Sequence, residues 1–431
     1  MFGLIDGNSF YCECERAFDP KLRGKPLVVL SNNDGCAISR TREAKDLGVR
    51  MGDPYHLVAK RPELKPVIWK SSNYALYGDM SRRMYEVLCE MVPQVEPYSI
   101  DEMFLDLRGM PWDLVKLATE IRAAVRQIAK IPTCVGIGPT KTLAKLANKV
   151  AKGERHGSGI CDFSTPEARS AKFPQIPLGD VWGMGGASVE KLAKGGIRSV
   201  ADFVALPLDE VRKTLTVTGL RTHAELRGLS CYPFSLNAPT RQTIACTRSF
   251  GRMITEWEEM RQAVVTYVSR AAEKLRRHGL RASAMQVFMH TNLFNKDPRY
   301  SNQVTVAIEP ASDTFALIGA ATRAAQSMWR KGYRYQKAGI VLIDLYQPQD
   351  MPVQDMFASR DPVKSKAIMA ALDAVNARFG RGTLQAGIIG KTATWGMRRA
   401  NLSPCYTTRL DDLLQVNSGP LRSTDEPHLI P

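Results

Sequence analysis

The stretch YSIDE at positions 98–102 organises the chain, because it sets two carboxylates side by side between apolar segments. Residues 95–98 lead into it and the apolar-rich run at 103–107 leads out, which is the pattern of a β-hairpin. Neighbouring side chains of a regular strand point to opposite faces, so Asp101 and Glu102 converge only where the strand bends. We therefore predict a hairpin that carries both acids at its tip.

A third carboxylate, Asp6, ends the apolar run at the start of the sequence. If this first strand neighbours the hairpin, the three acids share one edge of a sheet. Clustered carboxylates repel one another unless divalent cations neutralise them, and oxygen ligands at this charge density suit Mg²⁺. Ordinary exposed turn acids are the alternative, and the spacing alone favours that interpretation.

The order of the predicted elements matches a ferredoxin-like sheet with helices on one face. After the strand that ends at Asp6, helical periodicity predicts a helix at 74–91, and a second helix at about 113–130 follows the hairpin. A strand at 133–138 completes the order. The apolar faces of the two helices contain Tyr77, Met80, Met84, Leu88 and Met91 in the first and Leu114, Leu117, Ala118, Ile121, Val125 and Ile128 in the second.

Aromatic and basic residues surround the predicted acidic site. Phe10 and Tyr11 follow the first acid and form the floor of a pocket or, as aromatic residues more often do, pack in the core. Arg42 and Lys45 lie on a short predicted helix at 41–48, where their charge suits a triphosphate. A solvated helix face is the competing interpretation of these two cations.

A second basic helix is predicted at 141–152, with Lys141, Lys145 and Lys149 on one face and apolar residues on the other. Such a stripe beside an acidic metal site holds the phosphates of a nucleotide or of a strand. A solvated helix face is the usual interpretation of this spacing, so the stripe only corroborates the site.

The segment 165–232 is predicted to form a small helical module around the run VWGMGG at 181–186. The spacing of Gly183 and Gly185 is typical of a helix-hairpin-helix, whose backbone N–H groups approach a DNA phosphate without reading the base sequence. A plain tight turn between two helices is the alternative.

The formal charge of +16 is unevenly distributed along the 431 residues, a length for which two to four domains are expected. Residues 241–345 contain 16 basic and 8 acidic side chains, a net +8, so a quarter of the chain contains half of the excess. An α+β domain that grips phosphates on a sheet face is predicted there. Its strands are expected near 283–290, 303–308 and 339–346, and its helices near 259–277 and 313–330.

From position 347 the sequence reads as a connector, and the remainder has too little periodicity for an independent core, so we expect it to dock or to be partly disordered. No apolar run approaches the roughly 20 residues that span a bilayer, and Asp6 comes too early for a signal peptide. Nine scattered cysteines without metal-ligand spacing indicate reduced thiols and argue against zinc. We expect no membrane association.

Several separated motifs carry a resemblance to a known family. SIDE at 99–102, with Asp6 upstream and Phe10 and Tyr11 behind it, resembles the Y-family translesion DNA polymerases. Four further motifs are similar to the UmuC-type branch, the catalytic subunits of DNA polymerase V and their plasmid-borne relatives. They are SNNDGC at 31–36, SSNY at 71–74, GRGTL at 380–384 and LSPCYTTR at 402–409, and the similarity extends to about position 414.

The resemblance implies a centre with two Mg²⁺ ions. Asp6 and Asp101 would bridge both ions, Glu102 would bind the ion that activates the primer 3′-hydroxyl, and the carbonyl of Gly7 would complete the other. Tyr11 would be the steric gate that excludes a ribose 2′-hydroxyl.

By the same resemblance, Ser39, Arg42, Lys45 and Lys141 would contact the incoming nucleotide. Phe10 is added to this set as the floor of the pocket. The lysine stripe and the helix-hairpin-helix pattern place Lys145, Lys149, Gly183 and Gly185 at the DNA. The family commonly has Tyr and Arg where Arg42 and Lys45 stand.

The resemblance also implies a multidomain α+β fold and an activity. Palm and fingers would occupy 1–165, with the fingers at about 19–73. They would be followed by a helix-hairpin-helix thumb at 166–232, a little finger at 241–346 and a partner-binding region at 347–431. The implied function is error-prone translesion synthesis in the SOS response, without proofreading. A non-catalytic DNA-binding repair scaffold is the alternative that charge and the helix-hairpin-helix leave open.

The implied partners are primer-template DNA, dNTP, a UmuD-type accessory dimer and a RecA filament. A sliding-clamp peptide is expected at Val353, Met356 and Phe357, which keep the hydrophobic end of that motif but lack its leading Gln and Leu. The implied location is the bacterial cytoplasm, at the nucleoid.

Overall fold

The computed structural model describes residues 1–110, 113–154, 157–236, 241–350, 361–390 and 393–413. The chain forms two compact units. The first contains Met1–Ser31, Gly35–Asn237 and the chain from Asn401 onward; the second contains Asn32–Asp34 and Ala238–Ala400. The clamp peptide predicted at Val353, Met356 and Phe357 lies outside the described residues.

The first unit contains a large sheet, a small sheet and a set of helices. Its strands are β1 (Phe2–Gly7), β2 (Leu27–Leu30), β3 (Ala37–Arg40), β4 (Ile68–Ser71), β5 (Val95–Pro97), β6 (Glu102–Asp106), β7 (Thr133–Gly138) and β8 (Ile160–Asp162). Its helices are α1 (Phe10–Phe18), α2 (Arg42–Asp46), α3 (Tyr55–Val58), α4 (Tyr74–Met91), α5 (Leu114–Ile128), α6 (Lys141–Gly153), α7 (Pro166–Lys172), α8 (Gly186–Ala193), α9 (Val200–Ala205), α10 (Leu208–Thr214) and α11 (Val217–Leu226).

The large sheet has the strand order β5-β6-β1-β7-β8, and β1 pairs antiparallel with both β6 and β7. Without β8 this is the ferredoxin-like order that the sequence predicts, because the chain runs strand, helix, hairpin, helix, strand. All six residues of β1 are buried. Helix α4 has the predicted bounds, whereas Ile128 at the end of α5 is 58% exposed and was wrongly assigned to the buried face.

The small sheet, in the order β3-β2-β4, has a core of its own and lies within residues 19–73, for which the fingers are predicted. The helical module has another core, but its hairpin begins with a 3₁₀ turn at Leu178–Asp180 rather than an α-helix. Gly183 adopts a φ of +88°, which an L side chain rarely adopts, and Gly185 is the N-cap of α8.

The second unit contains the strands and helices predicted for the basic segment and two elements that were not predicted. The full set is β9 (Ile244–Ile254), α12 (Trp257–Arg277), β10 (Arg281–Thr291), β11 (Ser301–Ala311), α13 (Thr314–Met328), β12 (Tyr335–Tyr346) and α14 (Pro362–Phe379). The sheet order is β11-β10-β12-β9, and its pairs are antiparallel. Strand β9 was missed because its buried residues do not alternate regularly along the strand.

The C-terminal region predicted at 347–431 does not form one body. Its described residues up to Ala400 belong to the second unit, where Trp395 is buried against Phe250 and Tyr267. Residues 401–413 belong to the first unit. The expected docking of this region therefore occurs on two different cores.

Each of the nine cysteines is free, and no helix of the described ranges has the length and apolar character of a membrane span.

Gly136 in β7 lets helix α6 lie directly on the sheet. A Cβ at this position would lie 2.1 Å from both the Ala144 carbonyl oxygen and the Asn148 amide nitrogen. We predict that Gly136→Ala lowers the free energy of unfolding by about 1–3 kcal/mol or more, because the helix must move off the strand. Urea unfolding of the purified chain measures this change.

Gly153→Ala on the same helix is the matched control, since no atom lies within 4 Å of a Cβ there. It should leave stability unchanged or slightly raised. Equal unfolding midpoints for Gly136→Ala and the parent chain would contradict the predicted contact.

Candidate active site

The three predicted acids come from β1 and the tip of the β5–β6 hairpin. Asp6 pairs with Glu102 across the antiparallel register of β1 and β6. The amide of Gly7 donates to the carbonyl oxygen of Asp101 at 2.9 Å, which ties the hairpin tip to the end of β1. The structure therefore brings Asp6, Gly7, Asp101 and Glu102 together where β1 ends and β6 begins, at one end of the inner strands of the sheet.

Ser99 shapes the hairpin tip, although the sequence interpretation gave it no role. Its hydroxyl donates to Asp101 Oδ1 at 2.6 Å and accepts from the amides of Asp101 and Glu102 at 3.2 and 3.0 Å. The amides of Tyr98 and Ser99 both donate to the carbonyl oxygen of Glu102 at 3.0 Å. These bonds produce the bend that two adjacent carboxylates need in order to converge.

Lysines from α6 neutralise two of the three acids. Lys152 forms an ion pair with Asp6 Oδ2, and Lys145 Nζ lies 2.5 Å from Glu102 Oε1. The Lys145 ammonium also sits 4.5 Å from the centre of the Tyr98 ring. The negative charges of two carboxylates that would otherwise repel each other are thereby balanced by charges within the protein.

The Asp6 carboxylate is buried, and its Oδ1 atom has no hydrogen-bond partner among the described residues. Burial raises its pKa to about 7; the Lys152 ammonium opposes this rise, and the Asp101 and Glu102 carboxylates add to it. A buried, unpartnered carboxylate oxygen beside further carboxylates suits a hard divalent cation.

The carboxylates do not converge on one point, however. Among the described residues, no three Asp, Glu, His or Cys side chains are grouped closely enough to ligate one ion. The Asp101 side chain bonds to Ser99 and that of Glu102 to Lys145. The donor set therefore fits a metal only if these two side chains exchange their present partners.

Lys141 forms its ion pair outside the set of three predicted acids. Its ammonium bonds to Glu96 Oε2 at 2.6 Å and to the Pro233 carbonyl oxygen at 2.8 Å, and only 5% of its side chain is exposed. Lys152 lies about three helical turns further along α6, on the order of 16 Å away. Lys149 pairs with Asp180 at 3.2 Å. Lys152, which the sequence interpretation missed, is the α6 residue at Asp6.

Tyr11 is held among aromatic rings directly behind β1. It stacks on Tyr77 with ring centres 4.6 Å apart, and the edges of Tyr74 and Phe10 approach it at 5.9 Å each. Burial raises the pKa of Tyr11 to about 12, with smaller contributions from Tyr74 and Asp101. The predicted gate residue is therefore a neutral phenol in a defined orientation.

The cations of the fingers form one electropositive region with Lys152. Burial lowers the pKa of Lys45, and the neighbouring charges of Arg40, Arg42 and Lys152 lower it further. Ser39 is buried, and its hydroxyl accepts from the amide of Cys12 at 3.4 Å. Arg42 and Lys45, which were predicted to contact the triphosphate, are therefore close enough to Lys152 for their positive charges to add in one region.

Known proteins show the same combination of sequence and fold. A family model described as the impB/mucB/samB family matches residues 5–149, and one for the C-terminal domain of that family matches residues 241–356. Protein UmuC of Salmonella typhimurium is 44% identical over 422 residues, which cover 96% of this chain and 100% of that protein. The chain belongs to the impB/mucB/samB family, the UmuC-type Y-family DNA polymerases.

Other relatives agree with this membership. Protein ImpB of Salmonella typhimurium is 41% identical over 97% of this chain and 100% of its own length, and DNA polymerase IV of Bacillus velezensis is 26% identical over 90% and 92%. A solved Y-family DNA polymerase chimera of Dbh and Dpo4 has the same fold, with a TM-score of 0.63 at 20% identity over 80% of this chain and 99% of that one. The resemblance and the fold class predicted from the sequence are confirmed.

Two further points concern the metal and the C-terminal region. Y-family DNA polymerases depend on divalent metal ions, in agreement with the acidic site. A model described as a domain of unknown function (DUF4113) matches residues 366–416 of this UmuC-type chain.

We predict that Lys152→Gln raises the pKa of Asp6 above its present value of about 7, because the ammonium is what most opposes the effect of burial. Carbon-13 NMR of aspartate-labelled protein, titrated without metal, follows this carboxyl group. Lys149→Gln on the same helix is the control and should leave the titration unchanged. An unshifted Asp6 pKa in Lys152→Gln would show that this ion pair is not formed.

Proposed function

We propose that the chain is an error-prone translesion DNA-directed DNA polymerase of the SOS response, which transfers a nucleotide to a primer 3′-hydroxyl opposite damaged template bases. One observation carries the proposal: Asp6, Asp101 and Glu102 lie together at one end of the inner strands β1 and β6 of the ferredoxin-like sheet, and Tyr11 follows on α1. Relatives over nearly the whole chain support the same activity.

Two Mg²⁺ ions would be held by Asp6, Asp101, Glu102 and the carbonyl of Gly7. Bound there, the ions would activate the attacking hydroxyl and stabilise the leaving oxygen of the phosphoryl transfer. The chain itself orients the backbone of the hairpin tip, since the Gly7 amide holds the Asp101 carbonyl and the Ser99 hydroxyl accepts from the amides of Asp101 and Glu102. Lys145 and Lys152 balance the acids that face them.

Tyr11 would act as the steric gate against a ribose 2′-hydroxyl. Its ring contacts Phe10, Tyr74 and Tyr77, so it cannot rotate away without losing those contacts. A rigid aromatic ring discriminates between the two sugars by their size, because the additional 2′-oxygen of a ribose would collide with a ring that cannot move aside.

The triphosphate would meet the cations of the fingers and of α6. We assign the triphosphate contacts to Ser39, Arg42, Lys45 and Lys152, and Phe10 would form part of the floor of the nucleotide pocket. Lys141 was expected here, but its ammonium is bonded to Glu96 and Pro233, so Lys152 replaces it in the proposal. Lys152 is 34% exposed and ends beside Asp6, within reach of a bound nucleotide.

Primer-template DNA would be held by backbone N–H groups at Gly183 and Gly185 and by the charge of the basic second unit. Lys149, which is more than half exposed, is better suited to a phosphate than Lys145, which is engaged with Glu102. A UmuD-type accessory dimer, a RecA filament and a sliding clamp that binds Val353, Met356 and Phe357 complete the proposed partners, at the bacterial nucleoid. The non-catalytic scaffold has no use for the acid and tyrosine pocket.

Asp101→Ala is predicted to abolish primer extension with Mg²⁺ and any required partner proteins, while DNA binding persists. Removal of a carboxylate from the metal set eliminates an interaction that the transition state needs. Single-nucleotide extension and filter binding measure the two properties. Asp209→Ala, which removes an exposed acid of the helical module, is the control. Full extension by Asp101→Ala would favour the scaffold.

Tyr11→Ala is predicted to admit ribonucleotides, because the ring no longer fills the space beside the sugar. The ratio of kcat/KM for a dNTP to that for the matching rNTP should fall at least tenfold, about 1.4 kcal/mol of discrimination. Tyr55→Ala, a tyrosine of the fingers core, controls for general loss of an aromatic residue. An unchanged ratio in Tyr11→Ala would remove the gate role.

A further inference from the structure

The segment 401–413 docks on the helices that hold the gate tyrosine. Asn401 exchanges two hydrogen bonds with Ser71, each of 3.0 Å, at the end of β4. Tyr406 stacks on Phe18, the last residue of α1, with ring centres 5.0 Å apart and planes inclined by 8°. The segment is therefore fixed at the start of α4 and at the end of α1.

Asn73 connects this segment to the N-terminus of α4. Its side-chain oxygen accepts from the amide of Leu76 and caps the helix. Its side-chain NH₂ group donates to the hydroxyl and the carbonyl of Ser403 at 3.0 and 3.1 Å, and to the carbonyl of Pro404 at 3.1 Å. One buried amide thus positions the Ser403 hydroxyl.

The Ser403 hydroxyl reaches a buried carboxylate on α1, 388 residues away in sequence. It donates to Glu15 Oε1 at 2.9 Å, and the Tyr77 hydroxyl donates to the same oxygen at 2.8 Å. Glu15 is 1% exposed, and burial raises its pKa against the effect of these two bonds. The two hydroxyls are the side-chain donors to Glu15 among the residues that the structure describes, and the charge of Lys70 also favours its ionised form.

Glu15 lies one turn after Tyr11 on α1, and Tyr77 contacts both residues. The Tyr77 ring stacks on Tyr11 while its hydroxyl is held by Glu15. Ser403, Glu15, Tyr77 and Tyr11 therefore form one continuous series of contacts from the C-terminal segment to the gate.

We propose that the C-terminal segment 401–413 is a positioning element of the sugar pocket, acting from Ser403 through Glu15 and Tyr77 on the ring of Tyr11. This inference rests on the gate role proposed for Tyr11. It gives a function to part of the region matched as a domain of unknown function.

The physical reason is that a buried carboxylate with two hydroxyl donors holds its rotamer, and one with a single donor is underpaired. Without the Ser403 hydroxyl, protonation of Glu15 or a change of its rotamer becomes more favourable. The Tyr77 hydroxyl then loses a fixed acceptor. The stacked pair of Tyr77 and Tyr11 then samples a wider range of positions. A looser ring discriminates less between sugars.

The test compares variants of the full-length protein in single-nucleotide extension on a primed template, with any accessory proteins that extension requires. Ser403→Ala and Tyr77→Phe each remove one hydroxyl and keep the backbone and ring. Ser403→Thr restores the hydroxyl. Ser365→Ala is the matched control, because Ser365 also bonds to a carboxylate, Asp313, but does so in the second unit. The readouts are kcat and KM for a dNTP and its rNTP, and the Tm.

The expected result is a fall of about fivefold in the dNTP over rNTP ratio of kcat/KM in Ser403→Ala and in Tyr77→Phe, the loss expected for one hydrogen bond. The double variant should show less than the product of the single effects, because both hydroxyls act on one oxygen. Ser403→Thr should recover the ratio, and Ser365→Ala should keep it.

A lower Tm in Ser403→Ala with an unchanged sugar ratio would overturn the inference, since the contact would then be structural alone. Tyr11→Ala in the same assay separates the two proposals. If Tyr11→Ala relaxes sugar selection and Ser403→Ala does not, only the positioning role fails. If neither variant relaxes it, the gate itself is wrong.

Discussion

Asp6 and Glu102 face each other across the antiparallel pair of β1 and β6, and Asp101 is tied to the end of β1 by the Gly7 amide. Three carboxylates so placed repel one another, so the surrounding structure must supply positive charge. Helix α6 does this with Lys145 and Lys152, and it can do so only because Gly136 lets it lie on β7. The register of β1 and β6, the contact of α6 with β7 and the charge balance of the site therefore depend on one another.

The pocket behind the acids is subject to a different constraint, which is that a buried polar group must be hydrogen-bonded. Glu15 is buried beside the aromatic cluster and must be hydrogen-bonded, which Tyr77 and Ser403 achieve. The helix that presents Tyr11 therefore depends on a residue near the far end of the sequence. In this UmuC-type chain the C-terminal segment 401–413 belongs to the same compact unit as the acids.

The two units use the same order of elements in different sheets. Both run strand, helix, hairpin, helix, strand, yet the first strand is central in the large sheet of the first unit and lies at the edge of the sheet of the second unit. A central first strand is buried along its whole length, and this burial removes Asp6 from water and raises its pKa. The edge strand β9 has no such role and shows an irregular pattern of burial.

The sequence alone determined the acidic hairpin and the bounds of α4, because hairpins and helical periodicity are local properties, and its motifs determined the family. It placed Asp6 beside the hairpin only on the condition that the two strands are neighbours, which the pairing of β1 with β6 supplies. It could not choose between Lys141 and Lys152, since both lie along one basic helix and only the packing of α6 on β7 decides which end meets Asp6. It also could not find Ser99, Ser403 or Glu15, or the division of the C-terminal region between two cores. Those roles arise from contacts between segments that are distant in sequence, and only the tertiary structure brings them together.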